Sequence, residues 1–210
     1  MRKIIQSLLA IHFIFYSHFL LADETTLDGA VLTQQHCAEC HGEQGNGVNS
    51  TVDKSESIPK IAGFSAILIF DILDQFKSNE REALDVMNKN KQLTNMIKIS
   101  KKLSGAELEA ISLYLSEQTF LHSNKTTSSN KDLITQGKQL HEDLCNDCHV
   151  DNGTSSEDDA PILAGQNKQY LIRQFKQLST SKRYIPKRMK RKFRKLSEKD
   201  KEALIEYYTN

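Results

Sequence analysis

The chain of 210 residues has no tryptophan, three prolines and nine glycines, and only 7% of it is aromatic. So little proline and glycine excludes a collagen-like or low-complexity architecture. Neither sign of charge dominates, with 28 Lys+Arg against 27 Asp+Glu, so the chain is no bulk polycation or polyanion. Cysteine is scarce: four residues are few for a disulfide scaffold of this length, and their positions matter more than their number. After residue 22 no apolar run is long enough to cross a bilayer. The length allows one ordinary domain or two small ones.

The start reads as an export signal. Arg2 and Lys3 are positive, Ile4 to Leu21 is almost wholly apolar, and Leu20-Leu21-Ala22 precedes an abruptly polar Asp23-Glu24. This predicts a signal peptide over residues 1–22, cleaved after Ala22. Retention as an anchor is the competing reading, because the run approaches the ~20 apolar residues that a bilayer needs. His12, Ser17 and His18 weaken it as a permanent span, so the mature chain is expected to be soluble and exported. Its charge is uneven. Residues 23–130 sum to −5 and residues 131–210 to +4, which points to two units with different surroundings.

Those units are visible as an internal repeat. Gly29 stands eight residues before Cys37, and Gly137 eight before Cys145, a spacing that allows close helix contact. Cys37-Ala38-Glu39-Cys40-His41 is matched by Cys145-Asn146-Asp147-Cys148-His149, and Pro59-Lys60-Ile61-Ala62-Gly63 by Pro161-Ile162-Leu163-Ala164-Gly165. Leu103-Ser104 and Leu196-Ser197 each open a helical pattern. The shared order predicts a first domain over 23–122, a polar linker over 123–130 and a second domain over 131–210.

Both units read as mostly helical. Ser104 followed by Glu107, and Ser197 followed by Asp200, are helix-start pairs in which hydroxyl and carboxylate satisfy free backbone N–H groups. Leu108, Ile111 and Leu115 then line one face, as do Ala203, Leu204, Tyr207 and Tyr208 in the copy. No stretch alternates convincingly with period two, so the expected class is all-α. Units of about 80–100 residues are small for a self-sufficient core. Something else must fill the interior.

The two Cys-x-x-Cys-His motifs use all four cysteines. Two thiols one helical turn apart can form thioethers to the two vinyl groups of one haem, and the adjacent His reaches the iron from the same side. A structural zinc site would need its Cys pairs about 15–20 residues apart, whereas these are separated by 108 positions. A thioredoxin-like pair would need a βαβ context, and plain disulfides would not explain a His after both pairs. The reading is two covalent haem c groups, held by Cys37 and Cys40 and by Cys145 and Cys148, with His41 and His149 as iron ligands. For the sixth ligand the mature chain offers Met87, Met96 and Met189. Met96 and Met189 each lie seven residues before their Leu-Ser helix start, so they are the expected pair, with Met87 the fallback in the first unit. His36, His122 and His141 have no matched repeat position and are expected to be surface residues.

With these landmarks the chain resembles the dihaem cytochrome c4 family. The second unit carries the resemblance best, in Pro161-Ile162-Leu163-Ala164-Gly165-Gln166, Tyr170-Leu171-Ile172-Arg173-Gln174-Phe175, Met189 and Leu196-Ser197. The resemblance covers nearly all of the mature chain. It implies two tandem class I cytochrome c domains, each wrapped around its haem, with His41 and His149 as proximal ligands and Met96 and Met189 as distal ones. Two departures fall in the first unit: Phe64 stands where the family usually has Gln, and the Gly63-to-Met96 interval is 33 residues against 24 for Gly165 to Met189. In the second unit Val150 replaces the Gly that commonly follows the haem His.

The resemblance further implies a periplasmic electron carrier, loosely membrane-associated in some members, that feeds a respiratory terminal oxidase and is not itself an enzyme. The alternative is the haem subunit of a flavocytochrome-type (sulfide) dehydrogenase. A dihaem peroxidase would require one open iron site, against which the two matched methionines argue. Residues 182–195 carry nine basic side chains and no acidic one around Met189. Export argues against nucleic acid as their target, and anionic lipid is a second choice. A redox partner protein is therefore expected to dock near Lys187, Arg188, Lys190 and Arg191.

Overall fold

The computed structural model describes residues 27–47, 57–122, 130–157 and 159–210. The expected export signal and all of the expected linker except Asn130 lie outside the described residues. The first group of helices is α1 (Gly29–His36), α2 (Ala38–His41), α3 (Ala66–Lys77), α4 (Met96–Ser100) and α5 (Gly105–Ser116). Between α3 and α4 lie the short strands β1 (Val86–Met87) and β2 (Leu93–Thr94), which pair antiparallel with Met87 opposite Leu93. The second group is α6 (Lys131–Leu144), α7 (Val150–Gly153), α8 (Lys168–Ser179), α9 (Lys187–Phe193) and α10 (Glu198–Tyr208). Among the described residues the class is all-α, in two successive helical units.

Six of the helices among the described residues begin where a side chain takes a free N–H. Asp28 caps α1, Ser65 caps α3, Asn95 caps α4 and Asn130 caps α6. The two expected helix-start pairs form completely: Glu107 N–H donates to Ser104 Oγ (3.3 Å) and Ser104 N–H to Glu107 Oε2 (2.7 Å). In the copy, Asp200 N–H donates to Ser197 Oγ (3.2 Å) and Ser197 N–H to Asp200 Oδ2 (2.9 Å). These bonds hold both carboxyls below the usual carboxylate range.

The main helix contacts are α1 on α5 and α6 on α10. Glycine makes both possible. A Cβ built on Gly29 would stand 2.2 Å from Ala110 O, and one on Gly137 would stand 2.1 Å from Ala203 O. In each case the obstacle is backbone, which cannot rotate away. Gly137→Ala is therefore expected to destabilise the second unit by at least the ~1–3 kcal/mol typical of overpacking, read as a lower thermal midpoint, whereas Gly105→Ala, which meets nothing within 4 Å, should not.

The cores are unequal. Among the described residues twelve buried apolar side chains, Ile162 from the second half among them, form one cluster around Leu68, Leu108, Ile111 and Leu115. Around α10 the cluster holds only Leu171, Leu204, Ile205 and Tyr208.

The halves also exchange hydrogen bonds. Lys60 N–H donates to Gln166 Oε1 (3.1 Å), Gln166 Nε2 returns a bond to Lys60 O, Asn167 Nδ2 donates to Ile58 O, and Ser65 N–H donates to Ser156 Oγ (3.0 Å). This accounts for the Phe64 departure: Gln166 reaches across to the other half, while Phe64 is 2% exposed and stacks near Phe120 in the first core.

The long interval in the first unit also has a place. α3 and α8 match in length, so the extra nine residues all fall between α3 and Met96, where the hairpin β1–β2 forms. Its strands have two residues each, too short to show alternation in the sequence.

Candidate functional sites

The helical turn places the chemistry. Cys40 N–H and His41 N–H both donate to Cys37 O (3.1 and 2.9 Å), and Cys148 N–H and His149 N–H both donate to Cys145 O (3.2 and 3.0 Å). Each closed turn brings its two thiols and imidazole to the rim of one cleft. The first cleft, about 110 Å³, is lined by Cys37, Cys40, His41, Phe64, Met96 and Ile99. The second, about 550 Å³, is lined by Cys145, Cys148, His149, Leu163, Met189 and Tyr208. The first is the smaller.

The Pro-x-x-Ala-Gly segments serve these histidines. His41 Nδ1 lies 2.9 Å from Pro59 O, and His149 Nδ1 lies 3.1 Å from Pro161 O. A carbonyl only accepts, so Nδ1 carries the proton and Nε2 keeps its lone pair free for a metal. Burial lowers both histidine pKa values, which keeps the rings neutral and ligand-competent.

The same segments are tied down by a glycine pair that the sequence reading passed over. Ile61 and Ala62 N–H donate to Gly45 O, as Leu163 and Ala164 N–H donate to Gly153 O. Gly45 and Gly153 each stand four residues after the motif histidine, a spacing that could have revealed them. The Val150 departure is absorbed locally. The first unit turns at Gly42 (φ 77°), whereas the second turns at Asp151 (φ 52°) and Asn152 (φ 61°), residue types that tolerate the left-handed region.

None of the four cysteines is paired in a disulfide, which leaves both thiol pairs for thioethers. Burial pushes the Cys37 thiol up to about 12 and also raises Cys40 and Cys145. Among the described residues no group of three or more His, Cys, Asp or Glu could hold a metal ion. The apolar walls, the neutral imidazoles and the thiol pairs fit haem c.

Of the candidate sixth ligands, Met96 opens α4, packs against the first core and lines the first cleft. Met189 lies within α9 and lines the second. Met87 is 42% exposed on β1 and does not line the first cleft. One histidine expectation fails. His141 is fully buried, with Nδ1 2.8 Å from the Tyr208 hydroxyl and Nε2 3.3 Å from Asn146 Oδ1. It follows the helical period of α6 inward and is satisfied there by partners that only the fold brings close. His122 is exposed, as expected, and His36 is half-buried at the first cleft.

Comparison with known proteins agrees with this geometry. The family model described as cytochrome c matches residues 27–119, and the model for subunit III of cbb3-type cytochrome c oxidase matches residues 132–207. Cytochrome c4 of Stutzerimonas stutzeri is 26% identical over 181 residues, covering 81% of this chain and 82% of the relative. Among solved structures, reduced recombinant cytochrome c4 from Pseudomonas stutzeri superposes with a TM-score of 0.66 at 25% identity, covering 86% of this chain and 95% of that one. Thiosulfate dehydrogenase (TsdBA) from Marichromatium purpuratum shares the fold at a TM-score of 0.67 and 22% identity, covering 87% of this chain but 39% of that one.

Proposed function

Since the chain belongs to the cytochrome c4-like family of dihaem cytochromes and carries two covalently bound haem c groups, we propose that it is a periplasmic electron carrier feeding a respiratory terminal oxidase. When bound, each haem supplies a one-electron iron couple. The chain's own residues set the terms. Cys37, Cys40, Cys145 and Cys148 would anchor the two groups, His41 and His149 would bind iron through Nε2, and the carbonyls of Pro59 and Pro161 orient those rings. Met96 and Met189, on the linings of the two clefts, would supply the sixth ligands. The observation that carries the reading is a methionine on the lining of each cleft that also holds a motif histidine. Two closed irons suit transfer rather than substrate chemistry.

Export through residues 1–22 and two domains over 23–122 and 131–210 belong to the same proposal. Among the described residues no helix is long and apolar enough to cross a membrane. A second reading, the haem module of a larger oxidoreductase, draws on the thiosulfate dehydrogenase fold match. A stable enzyme subunit that co-purifies with the chain would favour it.

Partner docking falls to α9, which buries none of its residues. Lys187, Arg188, Lys190 and Arg191 are exposed, and the first two line the second cleft beside Met189. Replacing all four with Gln should slow electron transfer to the partner at low salt by about tenfold or more, within the range of electrostatic steering, and flatten the dependence on ionic strength. The haem spectrum should not change. An unaltered rate and salt slope would place the exit elsewhere.

A further inference from the structure

The methionine of the second unit stands on a helix without a buried anchor. α9 carries Met189 and buries none of its residues. Its last residue, Phe193, lies against the Phe175 ring, with 5.6 Å between centroids. A charged tie adds to this: Lys192 Nζ donates to Asp147 Oδ2 at 2.5 Å. Asp147 stands between Cys145 and Cys148, so the tie runs from the thiol rim of the second cleft to its methionine rim. Asp147, Met189 and Lys192 all line that cleft. Lys192 follows Met189 by three positions, a spacing that puts both on one face of the helix.

The first unit has an acid at the same position. Glu39 directly precedes Cys40, as Asp147 precedes Cys148, and its Oε1 accepts from Lys89 N–H at 2.5 Å. Lys89 sits in the loop that joins β1 to β2, seven residues before Met96. The loop is braced from within, since Asn88 Oδ1 accepts from Asn90 N–H (3.0 Å) and Gln92 N–H (2.8 Å). At its base Asn95 Nδ2 donates to Asp85 Oδ1 (2.7 Å), and Val86 and Thr94 line the first cleft beside Met96. A hold on Lys89 is therefore a hold on the segment that leads into Met96.

The two partners are chemically unlike, an ammonium in one unit and a backbone amide in the other. The position of the acid and the segment it reaches are nevertheless the same in both. We infer that Asp147 and Glu39 are positioning residues, each clasping the methionine-bearing segment to the Cys-x-x-Cys turn and so keeping the thioether on the iron against competing ligands. The inference rests on the reading of His/Met ligation and adds what holds the methionine side in place. The clasps are unequal. Met96 also packs against the first core, whereas α9 buries nothing, so the loss of Asp147 should be felt more than the loss of Glu39. The Lys192 side chain is 29% exposed and that of Asp147 62%, so salt screens the pair.

The test is imidazole binding to the oxidised holoprotein, followed by optical spectra, with the covalent haem count as a control on assembly. Imidazole takes the sixth position when the methionine leaves it, so its apparent affinity reads how readily the thioether is released. Met189→Ala, which has no thioether to displace at the second iron, identifies the transition of that site. Asp147→Asn should raise the apparent affinity at the second iron by about two- to fivefold, in keeping with a partly exposed ion pair, and leave the first iron unchanged. Glu39→Gln should raise it at the first iron by a smaller factor. Asp147→Glu, and the exchange of charges in Asp147→Lys with Lys192→Asp, should both bring the affinity back toward that of the unaltered protein.

In the unaltered protein the affinity at the second iron should climb with ionic strength, and Asp147→Asn should flatten that climb. An unchanged affinity in Asp147→Asn, or a rise that the exchanged pair leaves in place, overturns the clasp. If Asp147→Asn loses a haem, the unaltered protein decides, and an affinity indifferent to ionic strength overturns the clasp. A second iron that is already high-spin in the unaltered protein overturns Met189 ligation, and the clasp with it, before any substitution is made.

Discussion

Replacing Cys145 and Cys148 together with alanine should reduce the covalent haem count from two to one and lower the thermal stability of the second unit. The reason lies in the inequality of the cores. Around α10 only Leu171, Leu204, Ile205 and Tyr208 are buried as a cluster, against twelve residues in the first. The cleft that the haem fills borders that small cluster at Leu171, Leu204 and Tyr208. Without the group, those side chains face water on one side and lose most of what burial gives, about 1.5–3 kcal/mol for each large apolar residue. The matching change at Cys37 and Cys40 should also cost one haem, but the first unit should retain more helix because its core is larger. Mass spectrometry after denaturation counts the haems, and thermal circular dichroism follows the helices. Two covalent haems in the double variant, or an unchanged melt, would refute the assignment.

Met96→Ala should convert the first haem from low spin to high spin or to a water-ligated form and lower its potential. The expected fall is on the order of 100 mV or more, within the ~0.8 V that axial ligands command. A thioether favours the reduced iron, so its loss favours the oxidised one. Met87→Ala should do neither, since Met87 sits exposed on β1 and Met96 lines the cleft. The reverse outcome, with Met87→Ala giving the high-spin species, would show that the hairpin carries the ligand and that the match with Met189 misleads in this unit.

The sequence makes the haem chemistry and its repetition plain because covalent attachment needs two thiols and a histidine at fixed spacing within one turn of helix. The helix starts at Ser104 and Ser197 are equally plain, since a capping pair is a local device. Gly29 and Gly137 are legible for the same reason: a helix crossing that touches backbone tolerates no side chain there. The remainder depends on partners distant in the chain. Nothing near His141 in sequence announces Tyr208, which lies 67 residues away and satisfies it in the interior. Gln174 meets Arg81 from 93 positions away, a contact nothing local announces, although Arg81 and Arg183 stand at matched positions, each 18 residues after the Gly of its Pro-x-x-Ala-Gly segment. The hairpin is invisible because two-residue strands leave no period to read.

The central claim is that this chain closes two irons, each between a histidine and a methionine. Low-temperature electron paramagnetic resonance of the oxidised holoprotein tests it most directly. Two low-spin ferric signals that together account for two irons per chain, with no high-spin component, are predicted from His41 with Met96 and His149 with Met189. A high-spin ferric signal of comparable weight would mean that one site is open to exogenous ligands, and would contradict the account of the chain as an electron carrier.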